Sequence, residues 1–259
     1  MAHQPLKITI ITGHFLINIL YFFQLGREKN LTSGFLFFID NMLIAGVDEA
    51  GRGPALGPMV MAIVVASKEQ EEQIVSLGVK DSKELSIEKR VELFEKIPGI
   101  CEEFVVSMVE PAEINTLMGR HSLNEIEAMK IGEMINALKS RPEIVFVDSP
   151  DVKQENFSKR IKRYCGKSLT IKSEHFADRN YPLASAASVM AKVSRDNAID
   201  ELKKEFGDIG SGYPHDPKTI AFIRAWVKKE KELPPIARDK WRTNVRELNA
   251  CFQKKLGDC

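Results

Sequence analysis

Gly46-Val47-Asp48-Glu49-Ala50-Gly51-Arg52-Gly53-Pro54-Ala55-Leu56-Gly57-Pro58 is the stretch on which the fold turns. It ends an apolar run from Met42 to Val47 with two adjacent carboxylates and follows them at once with a glycine-flanked arginine. An apolar strand closing in Asp48-Glu49 leaves negative charge at its rim. Gly51 and Gly53 lack the Cβ that would hold the backbone away from a bulky polyanion. A metal-binding anion beside a phosphate-binding cation points to phosphate chemistry run by metal ions. The glycine spacing, G-x-G-x-x-x-G, is not that of a dinucleotide loop; Pro54 and Pro58 oppose a helix opening there, and the Lys-Ser/Thr pair of a P-loop is missing.

Working outward, the chain alternates strands and helices. Leu43 to Val47 and Met59 to Ala66 read as strands separated by a turn at Pro54, Gly57 and Pro58, and Glu102 to Val109 as a third. Ser86 to Lys96 reads as a helix with a serine cap, stopped by Pro98-Gly99. A second helical stretch begins at Pro111, and Asn124 to Lys139 is a long one with Ile126, Met129, Ile131, Met134, Ile135 and Leu138 apolar. Glu143 to Val147 is then a buried strand ending in Asp148.

Two neighbouring strands that both end in Asp bring their carboxylates within reach of one ion. Beyond Asp148, seven Lys and Arg residues between Val152 and Lys172 face only Glu155; a solvated helix face is the ordinary reading, nucleic-acid contact the sharper one. Ser168 to Lys172 is a short strand. Asp178 follows, ahead of a small-residue helix from Ala184 to Val193 that can pack very close to a sheet. If that helix lies beneath the strand ends, Asp178 joins Asp48, Glu49 and Asp148 over one pocket. Four clustered acids require cations, with Mg²⁺ or Mn²⁺ the natural occupants. Singly, each acid would read as a surface charge.

Composition bounds the rest. The 259 residues are 44% hydrophobic, enough for a substantial core, and Lys+Arg 37 against Asp+Glu 36 gives a net charge of +1. Any nucleic-acid contact must therefore be local. Cys101, Cys165, Cys251 and Cys259 show no C-x-x-C spacing, which fits reduced thiols in a cytoplasmic protein. In residues 1–41 the apolar run Ile8 to Phe23 is broken by His14 and Asn18, short of the ~18 residues of a membrane helix and without a signal-peptide pattern. Met42 stands directly before the Asp48 strand, so residues 1–41 are expected to be a dispensable extension, with a catalytic domain over 42–227 and a C-terminal helical segment over 228–259 packed on it.

The chain resembles type 2 ribonucleases H of the archaeal and eukaryotic catalytic-subunit style, over roughly Met42 to Asn249. The matching words are Gly46 to Pro54, Asp81-Ser82-Lys83, Val147-Asp148-Ser149, Tyr181-Pro182 with Ser185 to Ser188 and Ala191-Lys192-Val193, Ser211 to Lys218, and Trp241-Arg242-Thr243. The resemblance implies an α/β fold, a ribonuclease H-like mixed β-sheet flanked by helices with a helical C-terminal part. It implies an endonuclease that hydrolyses the RNA strand of RNA-DNA hybrids and cuts at single ribonucleotides in duplex DNA, leaving 5′-phosphate and 3′-hydroxyl, in DNA replication and repair. The family's catalytic and metal-binding acids fall on Asp48, Glu49, Asp148 and Asp178, with two divalent ions. Its substrate contacts fall on Gly51, Arg52 and Gly53 for the 2′-hydroxyl and phosphate, Lys83 for a backbone phosphate, and Tyr213 for stacking on the next sugar.

Eukaryotic relatives use accessory subunits and archaeal ones act alone; the compact length favours a monomer, and the chain ends without an aromatic-rich clamp-binding peptide. Two other classes compete. A non-catalytic hybrid-binding module would have no use for four acids beside a phosphate backbone. A structure-specific DNA nuclease would cut all-DNA junctions instead.

Overall fold

The computed structural model describes residues 42–79, 85–165 and 168–252. Residues 1–41 and the Asp81-Ser82-Lys83 word lie outside them. Five strands form one sheet in the order β3-β2-β1-β4-β5: β1 is Ile44–Ala50, β2 Met59–Ala66, β3 Glu103–Val109, β4 Ile144–Asp148 and β5 Thr170–Glu174. β1 pairs parallel with β4 (Val47 opposite Val147), and β4 parallel with β5. The eight residues between β1 and its neighbour β2 are too few for a parallel crossover, so that pair turns back and the sheet is mixed. Every residue of β2 is buried, the mark of a strand covered on both faces.

The helices are α1 Lys68–Ser76, α2 Ile87–Lys96, α3 Pro111–Leu117, α4 Leu123–Ala137, α5 Gln154–Cys165, α6 Ala177–Asn180, α7 Pro182–Phe206, α8 Pro217–Glu230 and α9 Arg242–Phe252. Ser86 caps α2 by accepting from the Lys89 amide, as its sequence suggests. α5 turns Phe157 and Ile161 inward and leaves Lys159, Lys162 and Arg163 exposed, so the basic run lies on a solvated face.

The chain divides into two compact units that interleave in sequence. Of the described residues, the first holds those up to Glu49, within Met61–Ser107 and within Glu127–Val193; the second holds Ala50–Val60, Met108–Ile126 and those from Ser194 to Phe252. Residues 228–252 thus fall inside the second unit, together with residues well before position 228.

In the first unit the tightest seam is at Gly46. A Cβ there would stand 2.1 Å from the Ala184 nitrogen, so the start of α7 touches β1 backbone to backbone. Ala184, Ser185, Ala186, Ala187 and Ser188 are all buried, the small-residue packing that the sequence suggests. Gly132 does the same for α4 and α5: its absent Cβ would meet Tyr164 Cβ at 2.5 Å, and Asn136 donates to the Tyr164 carbonyl at 2.7 Å. The second unit is built on Ala55, Leu56, Ile199, Ile209, Ile223, Val227, Ile236 and Ala237. Cys101, Cys165 and Cys251 take part in no disulfide, and among the described residues no helix is long and apolar enough to cross a membrane.

Candidate active site

β1 runs further than its apolar content indicates. The strand continues through Asp48 and Glu49 to Ala50, so both acids sit within the strand and not beyond it. Strand alternation then divides them: Asp48 is buried at 6% exposure and Glu49 is half-buried. Burial, then the neighbouring Glu49 charge, push the Asp48 carboxyl well above the ordinary carboxylate value. A hydrogen bond from Ser188 and the charge of Lys192 pull the other way and lose.

Asp148 ends β4 one residue beyond the Val47–Val147 pair, so β1 and β4 bring their acids to the same edge of the sheet. Its Oδ1 accepts the Ala177 amide at 2.9 Å. Two further contacts brace the turn that makes this possible. The Ser149 amide donates to the Glu174 carbonyl at 3.0 Å, and His175 Nδ1 lies 3.1 Å from the Ser149 carbonyl. Phe176 turns the chain through a left-handed conformation, φ 59°, a geometry costing a non-glycine residue roughly 1 kcal/mol. One residue beyond Ala177, Asp178 is buried at 3% exposure on α6. Asp148 therefore holds the amino end of the short helix that carries Asp178.

The four acids share one unit: Asp48 and Glu49 lie in the last residues of β1, Asp148 ends β4, and Asp178 comes shortly after β5. They are not a finished cage: among the described residues, no three His, Cys, Asp or Glu side chains are placed to hold a metal ion as they stand. Their chemistry nonetheless fits one. The donor set is all carboxylate, the hard oxygen ligation that Mg²⁺ and Mn²⁺ take, and a buried carboxylate beside a second one is relieved by a cation.

Gly51, Arg52, Gly53 and Tyr213 share the second unit. Gly51 adopts φ +81°, and a Cβ there would lie 2.4 Å from the Arg195 side chain. Arg52 donates to Asn124 Oδ1 at 2.6 Å, which fixes its guanidinium. Gly53 is exposed, and a Cβ on it would stand 3.8 Å from the Tyr213 ring, so backbone and ring flank one open surface.

Residues to which the sequence assigns no role in the site hold this arrangement. Arg238 is fully buried and donates to three carbonyls of the loop: Gly57 at 3.0 Å, Arg52 at 3.1 Å and Gly51 at 2.7 Å. Trp241 donates to the Gly53 carbonyl at 3.1 Å, and the Arg238 guanidinium lies 4.9 Å from the Trp241 ring centre. Trp241 thus touches the loop itself. Arg195, also buried, stacks 5.0 Å from the Tyr213 ring centre and donates to the Ser211 carbonyl at 3.1 Å. Nothing in a lone Arg codon marks it as buried. Asp216 secures the loop's other side, accepting from the Ser211 amide at 2.6 Å and capping α8 through the Lys218 amide at 2.9 Å.

A mixed sheet whose three parallel strands bring acids to or just beyond their carboxyl ends, flanked by helices, defines the ribonuclease H-like class of nuclease folds. The family model described as Ribonuclease HII matches residues 45–244, and the chain belongs to that family. Ribonuclease HII of Pyrococcus furiosus is 42% identical over 214 residues, which is 83% of this chain and 94% of the relative. The crystal structure of ribonuclease H2 from Pyrococcus horikoshii OT3 superposes with a TM-score of 0.77 at 40% identity, over 82% of this chain and all of that one. The Archaeoglobus fulgidus RNase HII, solved in complex with PCNA, gives 0.71 at 41% identity, over 84% of this chain and all of that one. The protein is accordingly an endoribonuclease of a metal-dependent family that acts on RNA-DNA hybrids.

Proposed function

We propose that this protein cuts the RNA strand of RNA-DNA hybrids, and duplex DNA on the 5′ side of a single embedded ribonucleotide, through Asp48, Glu49, Asp148 and Asp178. The observation that carries the reading is covalent. Two residues after Glu49 the chain enters the Gly51-Arg52-Gly53 loop, whose carbonyls Arg238 fixes and whose exposed glycine faces Tyr213.

In this reading Asp48 and Asp148 would hold the ions, and Glu49 and Asp178 would complete the ligation and orient the attacking water. When bound, two divalent ions, Mg²⁺ or Mn²⁺, make water nucleophilic near neutral pH and neutralise charge on the leaving oxygen. Water adds across the P–O3′ bond; its hydroxyl stays on phosphorus as the 5′-phosphate and a proton goes to the 3′ oxygen. Gly51 and Gly53 let backbone groups approach the 2′-hydroxyl, the feature that separates RNA from DNA. Arg52 meets the adjacent phosphate, Lys83 a second one, and the Tyr213 ring stacks on the following deoxyribose. A monomer active in the cytoplasm, in ribonucleotide and primer removal, completes the proposal.

The test is cleavage of three duplexes, one with a single ribonucleotide, one a long hybrid and one all DNA, with and without divalent metal. Metal-dependent cutting of the first two and not the third is expected. Tyr213→Ala should lose selectivity at the single ribonucleotide while retaining hybrid cleavage. Cutting of the all-DNA duplex, or full turnover by Asp48→Asn, overturns the reading.

A further inference from the structure

The acidic edge has a cation of its own. Ser188, on α7, is wholly buried and hydrogen-bonds the Asp48 carboxylate. Its Oγ also accepts from Lys192 Nζ at 2.6 Å. A hydroxyl has one proton to give, so the bonds run in one direction, from ammonium to hydroxyl to carboxylate. The two residues stand four apart on one helix, hence on one face, and α7 is fixed against β1 at the Gly46 seam. Neither residue has a part in the cutting or reading roles above.

We propose that Lys192, acting through Ser188, is the built-in counter-cation of the acidic edge: it holds the Asp48 carboxylate in place in the metal-free protein and competes with divalent ions for the same negative charge. It is a positioning residue and does not touch the reacting phosphate. The inference rests on the reading of Asp48 as a metal ligand. Its physical basis is the cost of burying Asp48 beside Glu49, which is severe for an unbalanced charge. A nearby ammonium offsets that cost but repels an incoming dication. By linkage, whatever Lys192 contributes to the metal-free protein is subtracted from metal affinity.

The experiment is calorimetric titration of Mn²⁺ into the full chain, paired with thermal unfolding in EDTA and in Mn²⁺, for wild type, Lys192→Met, Lys192→Arg, Ser188→Ala and Asp48→Asn. Lys192→Met should bind Mn²⁺ at least about fivefold more tightly, the low end of measured site couplings. It should also melt lower in EDTA and recover with Mn²⁺. Lys192→Arg should stay near wild type, and Ser188→Ala should move in the direction of Lys192→Met by less. Unchanged or weaker Mn²⁺ binding by Lys192→Met overturns the counter-cation role; if cleavage slows while affinity is unchanged, the ammonium serves the substrate instead. Failure of the underlying reading looks different: wild type that binds no Mn²⁺, or Asp48→Asn that binds it as wild type does, removes the metal-ligand assignment and this inference with it.

Discussion

Replacing Arg238 with methionine keeps most of the side-chain volume and deletes every donor of a fully buried guanidinium. The three carbonyls it serves belong to Gly51, Arg52 and Gly57, at 2.7, 3.1 and 3.0 Å. Hydrogen bonds from a charged donor contribute roughly 1.5–3 kcal/mol each, an upper bracket of roughly 4.5–9 kcal/mol for three. The desolvation cost of the buried cation comes off that sum, and the residual loss is about 3–5 kcal/mol. Lysine should rescue little, because an ammonium cannot present the planar fork that meets separate carbonyls. Both tryptophans, Trp226 and Trp241, lie in the second unit, so their fluorescence during urea unfolding reports on the part that Arg238 stabilises. The midpoint should fall with little change in slope, and the melting temperature should drop by roughly 6–20 °C. A loss below about 1 kcal/mol would refute the reasoning, because it would mean that the loop holds its carbonyls without the arginine.

Gly46→Ala should disrupt folding severely, since its Cβ has backbone atoms 2.1 Å away, whereas Gly99→Ala, with nothing within 4 Å, should be close to neutral; paired melting curves decide. Asp216→Ala should cost about 1 kcal/mol at pH 7 as a lost cap. The amide and hydroxyl of Ser211 and the Lys218 amide hold the Asp216 carboxyl down at about 2, so this stability is complete above pH ~4, the unfolded value, and disappears as pH falls through about 2. Mutant and wild type should converge there, and a gap persisting at pH 2 would show that the carboxylate charge is irrelevant. Burial pushes the Cys101 thiol up to about 12 and the Cys165 thiol up to about 11, so iodoacetamide at pH 8 should label both far more slowly than a free thiol; rapid labelling in the native state would contradict this.

Legibility from sequence followed the physics of each element. Met59–Ala66 was readable to the residue because a strand buried on both faces is a continuous apolar run. Asp48 and Asp148 were readable because each directly follows an apolar run, Met42 to Val47 and Ile144 to Val147. The length of β1 was not, since Asp48 and Glu49 extend the strand without any apolar signal. α1 has no helical period in its sequence because its inward face is only Glu71 and Ile74. α8 did carry a signal, Asp216-Pro217 with Ile220, Ile223 and Val227, which the Ser211 to Lys218 word overshadowed. Arg195 and Arg238 left none: a buried cation that serves backbone carbonyls has no partner residue type to search for.

The pleat of β1 makes the strand a ruler as well as a scaffold. Asp48 is buried and Glu49 half in solvent, on opposite faces of the strand as counted from the Gly46 seam. One residue inserted or deleted between Gly46 and Asp48 would exchange the surroundings of the two acids while leaving the composition of the motif unchanged. The spelling of this segment can drift in places; its counting cannot.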